Sequence, residues 1–190
     1  AIVGMNGGDL KGNAYLGPAG SISGIAVTGT SAPRPAALVR PADAAWDPGT
    51  NPNNLQRNYS SGGGTTTLPG GTYWFTGLIV PGTLKFSGPA TLYVNGDLNV
   101  SGTLTAYQNV PANLKVYVIG ARTIADDGYN NVDITADIEA PSSAFESKNN
   151  LTFRGRLLAD TILTKNNADL FYDESLGDAG GATVVTTISY

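Results

Sequence analysis

The chain contains no cysteine and no histidine among its 190 residues. Without cysteine there is no disulfide framework and no thiol nucleophile, a composition that fits a protein secreted by a bacterium. Without histidine, the sequence excludes His-based catalytic triads, His-ligated zinc and the commonest general base at neutral pH. A catalytic group would have to be a carboxylate, lysine, tyrosine, serine or threonine. We predict no catalytic residues and no cofactor-binding residues.

Charge and long hydrophobic runs are also scarce. Charged residues make up 14% of the chain, against about 25% in typical soluble domains, and the net charge is −4. The sequence has no basic stripe of the kind that binds nucleic acid. No apolar run approaches the roughly 20 residues of a transmembrane helix. We therefore expect no nucleic-acid partner and no membrane span in this chain.

The chain does contain a repeated pattern of alternating apolar residues. The segments GTLKFSG at residues 82–88 and GDLNVSG at residues 96–102 share the form G-x-L-x-(F/V)-S-G. Such a segment is typical of a short strand with one face in the core, closed by a corner. Strands repeated at this spacing predict a β-solenoid, in which successive coils stack on one another. The residues expected to point inward are Leu84, Phe86, Leu98 and Val100.

We predict one solenoid domain over residues 1–190, interrupted by one irregular segment. Residues 31–71 are rich in proline and lack any period, which indicates a long loop excursion from the coil. Trp46 is the large apolar residue within this excursion. Trp74 follows the excursion and lies on the side of a strand opposite to its two aromatic neighbours. Trp46 and Trp74 are therefore predicted either to form a contact between loop and coil or to contact a glycan.

Asparagine pairs occupy two predicted corners of the coil, at residues 149–150 and 166–167. Asparagine suits such corners because it tolerates the left-handed backbone conformation. In a stacked coil these side chains can also align, and we expect them to form hydrogen bonds from one coil to the next.

Alternation also marks the two ends of the chain. Residues 183–190 follow a glycine-rich break and are predicted to be a terminal strand or a tail. A strand tethered in this way pairs either with its own coil or with the edge of a neighbouring molecule. The residues predicted to serve assembly or strand pairing are Ile2, Val3, Val184, Val185 and Ile188.

An oxygen-rich loop, DDGYNNVD at residues 126–133, is the candidate metal site. Calcium takes six to eight oxygen ligands from flexible loops of this composition, although the spacing is not that of an EF-hand. The alternative is an acidic, solvated turn where a coil bulges outward. The sequence thus predicts either no cofactor or calcium, with the ligands Asp126, Asp127, Asn130, Asn131 and Asp133.

Five short motifs resemble a known bacterial domain. They are LPGGTY at residues 68–73, PATLYVNGD at 89–97, IEAPSS at 138–143, GRLLA at 155–159 and LFYDESL at 170–176. In this order they resemble a surface domain of unknown function that occurs in pilus-associated and Tad-type secretion-associated proteins. The resemblance implies a right-handed parallel β-helix, similar in style to the polymer-forming bactofilins, with no assigned catalytic residues. The chain departs from the pattern at Glu139, where the family usually has tyrosine, and at Phe171, where it has histidine.

Polysaccharide chemistry is the alternative that such a fold leaves open. Glycosidases of this architecture pair aspartates with a downstream histidine, which this chain lacks. A lyase would use calcium with an arginine or lysine base, and Arg154 and Arg156 lie on one strand face beside Asp160. The two arginines are otherwise expected to form salt bridges between coils.

Together these observations predict a non-enzymatic structural or assembly module outside the cell or on the bacterial surface. The expected partners are further copies of the chain, or proteins of a pilus or the cell surface. The alternatives are a carbohydrate-binding or carbohydrate-cleaving β-helix, with a glycan partner, and a phage fibre or spike domain.

Overall fold

The computed structural model of the protein describes residues 2–4, 9–11, 14–16, 21–23, 26–33, 41–125 and 131–176. These residues form strands and short 3₁₀ turns, and no α-helix occurs among them. The strands are β1 (Ile2–Gly4), β2 (Asp9–Lys11), β3 (Ala14–Leu16), β4 (Ser21–Ser23), β5 (Ala26–Val27), β6 (Ser31–Pro33), β7 (Asn58–Ser60), β8 (Thr65–Leu68), β9 (Gly71–Phe75), β10 (Gly77–Val80), β11 (Thr83–Phe86), β12 (Ala90–Val94), β13 (Leu98–Val100), β14 (Thr103–Thr105), β15 (Leu114–Val118), β16 (Thr123–Ala125), β17 (Val132–Ser147), β18 (Leu151–Thr164) and β19 (Ala168–Tyr172). The 3₁₀ turns are Pro52–Asn54, Tyr107–Asn109, Pro111–Asn113 and Glu174–Leu176.

The strand pairings are parallel and form three faces. The first face stacks β7, β10, β13, β16 and the C-terminal parts of β17 and β18. The second face stacks β8, β11, β14, the N-terminal parts of β17 and β18, and β19. The third face stacks β9, β12, β15 and the middle parts of β17 and β18. The result is a β-solenoid of about six turns, which confirms the predicted all-β parallel β-helix.

The core is a set of apolar columns inside the coil. Leu84, Phe86, Leu98 and Val100 are 0%, 4%, 0% and 1% exposed, so the prediction that they point inward is confirmed. Alternation explains the pattern, because successive side chains of a strand point to opposite sides. A coil buries its apolar side only against its neighbours, and each fully buried large side chain contributes about 1.5–3 kcal/mol. The stack therefore becomes stable only as coils accumulate.

The two repeated segments are not stacked on each other, contrary to the simplest interpretation of their spacing. Strand β11, from residues 82–88, lies on the second face, and β13, from residues 96–102, lies on the first face. The stacked partner of Gly82 is Gly102, from the next coil: a Cβ at Gly102 would overlap the carbonyl oxygen of Gly82. Glycine is required at these corners because the backbones of successive coils touch there.

The predicted asparagine contacts are confirmed. Asn167 Nδ2 donates to Asn150 Oδ1 at 3.2 Å, and Asn150 Nδ2 donates to Asn131 Oδ1 at 3.2 Å. In a parallel column, Asn166 Nδ2 donates to Asn149 Oδ1 at 3.1 Å. These bonds tie three successive coils at one corner.

The N-terminal strands extend the stack at its C-terminal end. Strand β19 pairs with β2, and β2 pairs with β5. Strands β1 and β3 pair with β4 and β6 in the same two coils. The beginning of the chain therefore lies beyond β19, at the opposite end of the solenoid from β7, where the main coil begins.

The irregular excursion is shorter than the predicted residues 31–71. Strands β6, β7 and β8 lie within that range, and the described part without strands is residues 41–57, which we call the strap. Strands β7 and β8 lack a clear alternation of apolar and polar residues. They are held in the coil by pairing with β10 and β11 of the next coil. Residues 183–190 lie outside the described residues.

Candidate functional site

The strap lies against the outer side of the third face. Asp43 Oδ2 accepts a hydrogen bond from the backbone N–H of Gly120, at the end of β15, at 3.2 Å. Trp46 meets the ring of Trp74 in β9 edge-on, with centroids 5.6 Å apart and an interplanar angle of 77°. The predicted contact between loop and coil at Trp46 and Trp74 is thus present in the structure.

An aromatic ladder extends from Trp74 along the third face. Trp74 stacks on Tyr93 with centroids 4.2 Å apart, and Tyr93 stacks on Tyr117 at 5.1 Å. The three residues are in register on β9, β12 and β15. The Lys115 ammonium lies 5.9 Å from the centroid of the Tyr117 ring. Stacked pairs of this kind contribute about 0.5–1.5 kcal/mol beyond their buried area, so the ladder ties three coils together.

The ladder has consequences for glycan binding. A sugar stacks on the face of an aromatic ring, but here the ring faces lie against one another along the solenoid axis. Trp46 further occupies the end of the ladder at Trp74. The arrangement uses the rings for contacts within the chain, and the glycan contact at Trp46 and Trp74 stays a prediction.

Asn51 in the strap closes the outer edge of β9. Its side chain is 5% exposed. Its Oδ1 accepts from the Trp74 backbone N–H at 2.7 Å, and its Nδ2 donates to the Trp74 carbonyl at 3.1 Å. The amide thus pairs with both backbone groups of one residue, as a neighbouring strand would. Exposed strand edges are sites of pairing with other chains, and this side chain blocks such pairing at Trp74. No local sequence signal identified Asn51.

A cluster of charged side chains lies on the third face next to the ladder. Arg156 Nε donates to Asp137 Oδ1 at 2.7 Å, and its Nη2 donates to Asp137 Oδ2 at 3.0 Å. The same Nη2 also donates to Glu139 Oε1. Lys115 Nζ lies 3.9 Å from Asp137 Oδ2. The Asp137 side chain is only 2% exposed, whereas those of Arg156 and Glu139 are 18% and 26% exposed.

The electrostatics of the cluster favour the charged guanidinium. Burial lowers the pKa of Arg156, but the hydrogen bond and charge of Asp137, with the charge of Glu139, outweigh it and raise the pKa above its usual value. Arg156 therefore stays protonated. A buried carboxylate needs such a partner, because an unpaired charge in this position is strongly destabilising.

Arg154 and Arg156 form the salt bridges between coils that were one of the two interpretations of these residues. Arg154 Nη1 lies 2.8 Å from Asp133 Oδ1, and Arg156 binds Asp137; both acids are on the preceding strand, β17. Each arginine thus links two coils through a carboxylate.

The predicted metal loop is only partly described. Asp126, Asp127 and Asn130 lie outside the described residues. Asn131 has a left-handed backbone (φ 65°) and accepts the bond from Asn150, and the Asp133 carboxylate pairs with Arg154. Within the described residues, no three His, Cys, Asp or Glu side chains are grouped so that they could hold a metal ion. The calcium site stays a prediction.

The predicted assembly residues also fall partly outside the described residues. Val184, Val185 and Ile188 lie there. Ile2 and Val3 are in β1, which pairs with β4. A search of the described residues for helices that could cross a membrane finds none of sufficient length and hydrophobicity.

Comparison with known proteins adds one finding. Residues 87–179, just under half of the chain, match the family model of a domain of unknown function (DUF7305). The matched range covers β12 to β19 and includes the aromatic ladder from Tyr93 onward and the charged cluster. No curated protein and no solved structure matches the chain. Over residues 87–179 the chain is therefore similar to a domain of unknown function, and the described part of this range forms parallel β-solenoid.

Proposed function

We propose that the chain is a non-enzymatic structural and assembly module that acts outside the bacterial cell, on the surface or in association with a pilus. The observation that supports this most directly is the use of the outward side chains. The outer surface of a solenoid can offer an extended binding surface. Here the aromatic ladder, the asparagine columns and the arginine–carboxylate pairs join successive coils instead.

Contacts of this kind between successive coils favour a stiff solenoid over a surface that binds a ligand. The aromatic ladder, the asparagine columns and the arginine–carboxylate pairs all run along the solenoid axis, across the strand direction. A force along the axis would have to break them together with the backbone ladder. The scarcity of surface charge and the absence of cysteine and histidine are compatible with this role and offer little for acid–base chemistry.

The resemblance to surface domains of pilus-associated proteins supports the proposed location. At one end of the coil Asn51 of the strap binds the edge of β9, and at the other end strands β1 to β6 continue the stack beyond β19. The partners that we propose are further copies of the chain or other surface proteins.

Negative-stain electron microscopy with light scattering over a concentration series tests the proposal. A single stack from β8 to β5 would be a rod of roughly 35 Å, from seven steps of about 4.8 Å. We expect particles whose length or number of copies increases with concentration. Isolated particles of one size at every concentration would contradict the assembly role. Release of sugars from polysaccharides by the wild type, but not by Arg154→Met or Arg156→Met, would contradict the non-enzymatic role.

A further inference from the structure

The seam between β19 and β2 joins two parts of the second face that lie far apart in the chain. Among the described residues, Leu170 pairs with Leu10 and Phe171 pairs with Lys11. Strands β17 and β18 of the same face, by contrast, belong to successive coils that the chain connects directly. A segment that joins its fold through such a distant contact can be exchanged between identical copies, as in domain swapping.

Apolar residues occupy one register position on both sides of the seam. On the second face Phe153 is in register with Leu170, and Leu170 with Leu10. Leu170 is half-buried and packs against the core. If the N-terminal strands left, β19 would expose an unpaired strand edge beside an apolar residue. The C-terminal end therefore needs an occupant that supplies a parallel strand with an apolar residue at the position of Leu10.

The connection to this occupant is long enough to close within one chain. Nine residues, 34–42, link Pro33 to Asp43. Asp43 is bound at Gly120, in the coil of β14, and five strand spacings separate β14 from β5. Five spacings are about 24 Å, and the ten residue steps from Pro33 to Asp43 span at most about 33–36 Å. The covalent chain permits closure within one molecule, but a second copy offers the same acceptor edge.

We propose that strands β1 to β6 of one copy complete the C-terminal end of a second copy by forming the β19–β2 seam between molecules. The partner is thus another copy of this chain, and the site is the edge of β19. Each copy carries one donor segment and one acceptor edge, so exchange links copies either reciprocally in pairs or head to tail. This inference rests on the proposed assembly role and names the surface through which it takes place.

Mass action sets the conditions for the exchange. Closure within one chain has an effective concentration in the millimolar range, so it dominates in dilute solution. Exchange between copies dominates at comparable protein concentrations, or when chains refold together at high concentration. A crowded cell surface provides such concentrations.

Single cysteines test the proposal cleanly because the chain has none of its own. Full-length Lys11→Cys and Phe171→Cys chains are mixed, unfolded, refolded together at high concentration and oxidised. These positions are register partners, within the separation that a disulfide bridges. A disulfide between the two variants can form only across molecules. The matched control mixes Thr152→Cys with Asp169→Cys, register partners in β18 and β19, which lie on successive coils that the chain connects directly.

We expect the Lys11→Cys and Phe171→Cys mixture to yield at least about tenfold more mixed disulfide than the control mixture. Cysteines held in register stay within bonding distance, so their effective concentration is far above the bulk concentration that governs chance collisions. A yield equal to that of the control would overturn the proposal. The Lys11→Cys/Phe171→Cys double variant shows whether the seam forms at all. If it forms no disulfide while Thr152→Cys/Asp169→Cys does, the proposal also fails.

Light scattering on the same samples separates this inference from the proposed function. Assemblies that form without the mixed disulfide would exclude the seam as their contact but leave the assembly role intact. An absence of both assemblies and mixed disulfide would count against the two together.

Discussion

Replacing Arg156 by methionine removes the main partner of a buried carboxylate. The variant would leave Asp137, 2% exposed, with only the Lys115 ammonium at 3.9 Å. Breaking a buried ion pair by removing one partner costs about 3–5 kcal/mol, and we expect a value near the lower limit because Lys115 remains. Asp137→Asn should cost less, about 1–2 kcal/mol, because Arg156 is partly exposed and keeps Glu139. The double variant should cost less than the sum, with a coupling energy of about 1–3 kcal/mol.

Urea unfolding followed by circular dichroism measures these free energies. Arg154→Met is the matched control, since Arg154 also links β18 to an aspartate on β17, Asp133. Its pair is exposed, with 47% and 43% of the two side chains accessible, so its loss should cost below about 1 kcal/mol. The reasoning is refuted if Arg156→Met costs no more than Arg154→Met, or if the effects of Arg156→Met and Asp137→Asn simply add.

Three further predictions test other parts of the structure. Leu78→Ala should lower the free energy of unfolding by about 2–5 kcal/mol, because Leu78 is 0% exposed. The same change at its neighbour Ile79, which is 45% exposed, should lower it by under about 1 kcal/mol. Equal losses in urea unfolding would show the strand to be wrongly placed. Burial raises the pKa of the Tyr73 hydroxyl, and the nearby Tyr59 adds to this effect. Because the folded state favours the neutral hydroxyl, the stability that depends on it is present below pH 10 and is lost as the pH rises further. Tyr73→Phe should therefore lose less stability than the wild type in melting curves above pH 10, and parallel curves would contradict this. Asn51→Ala should lower the free energy of unfolding by about 1–3 kcal/mol. It should also increase self-association in light scattering, because it leaves the edge of β9 free to pair with another chain. A destabilised variant that stays monomeric would argue against edge protection.

Local alternation was sufficient to predict the fold class and the inward side of the strands. Leu84, Phe86, Leu98 and Val100 were identified because strand side chains alternate with a period of two, which any stretch of four residues reveals. The asparagine corners were predicted for a similar reason, since their offset of seventeen residues equals the length of one coil at that point.

The length of a coil is not constant, and this limits what the sequence could show. Arg156 and Asp137 are nineteen residues apart, and Arg154 and Asp133 twenty-one. Leu98 stacks on Ile124 across a longer coil that includes the 3₁₀ turn Pro111–Asn113. Partners on adjacent coils therefore have no fixed spacing. The fourteen-residue repeat accordingly marked strands on two faces of one coil, and no spacing identified Asp133 and Asp137 as the carboxylates that the two arginines bind.

The sequence by itself determined that strands form, which of their residues turn inward, and that glycine and asparagine occupy the corners. These are local properties, set by alternation and by backbone conformations within a few residues. Only the tertiary structure decided that the N-terminal strands lie beyond β19, that the strap covers the aromatic ladder, and that Asn51 closes β9. Each of these contacts joins segments far apart in the chain. They depend on how many coils intervene and where each corner turns, which no local pattern encodes.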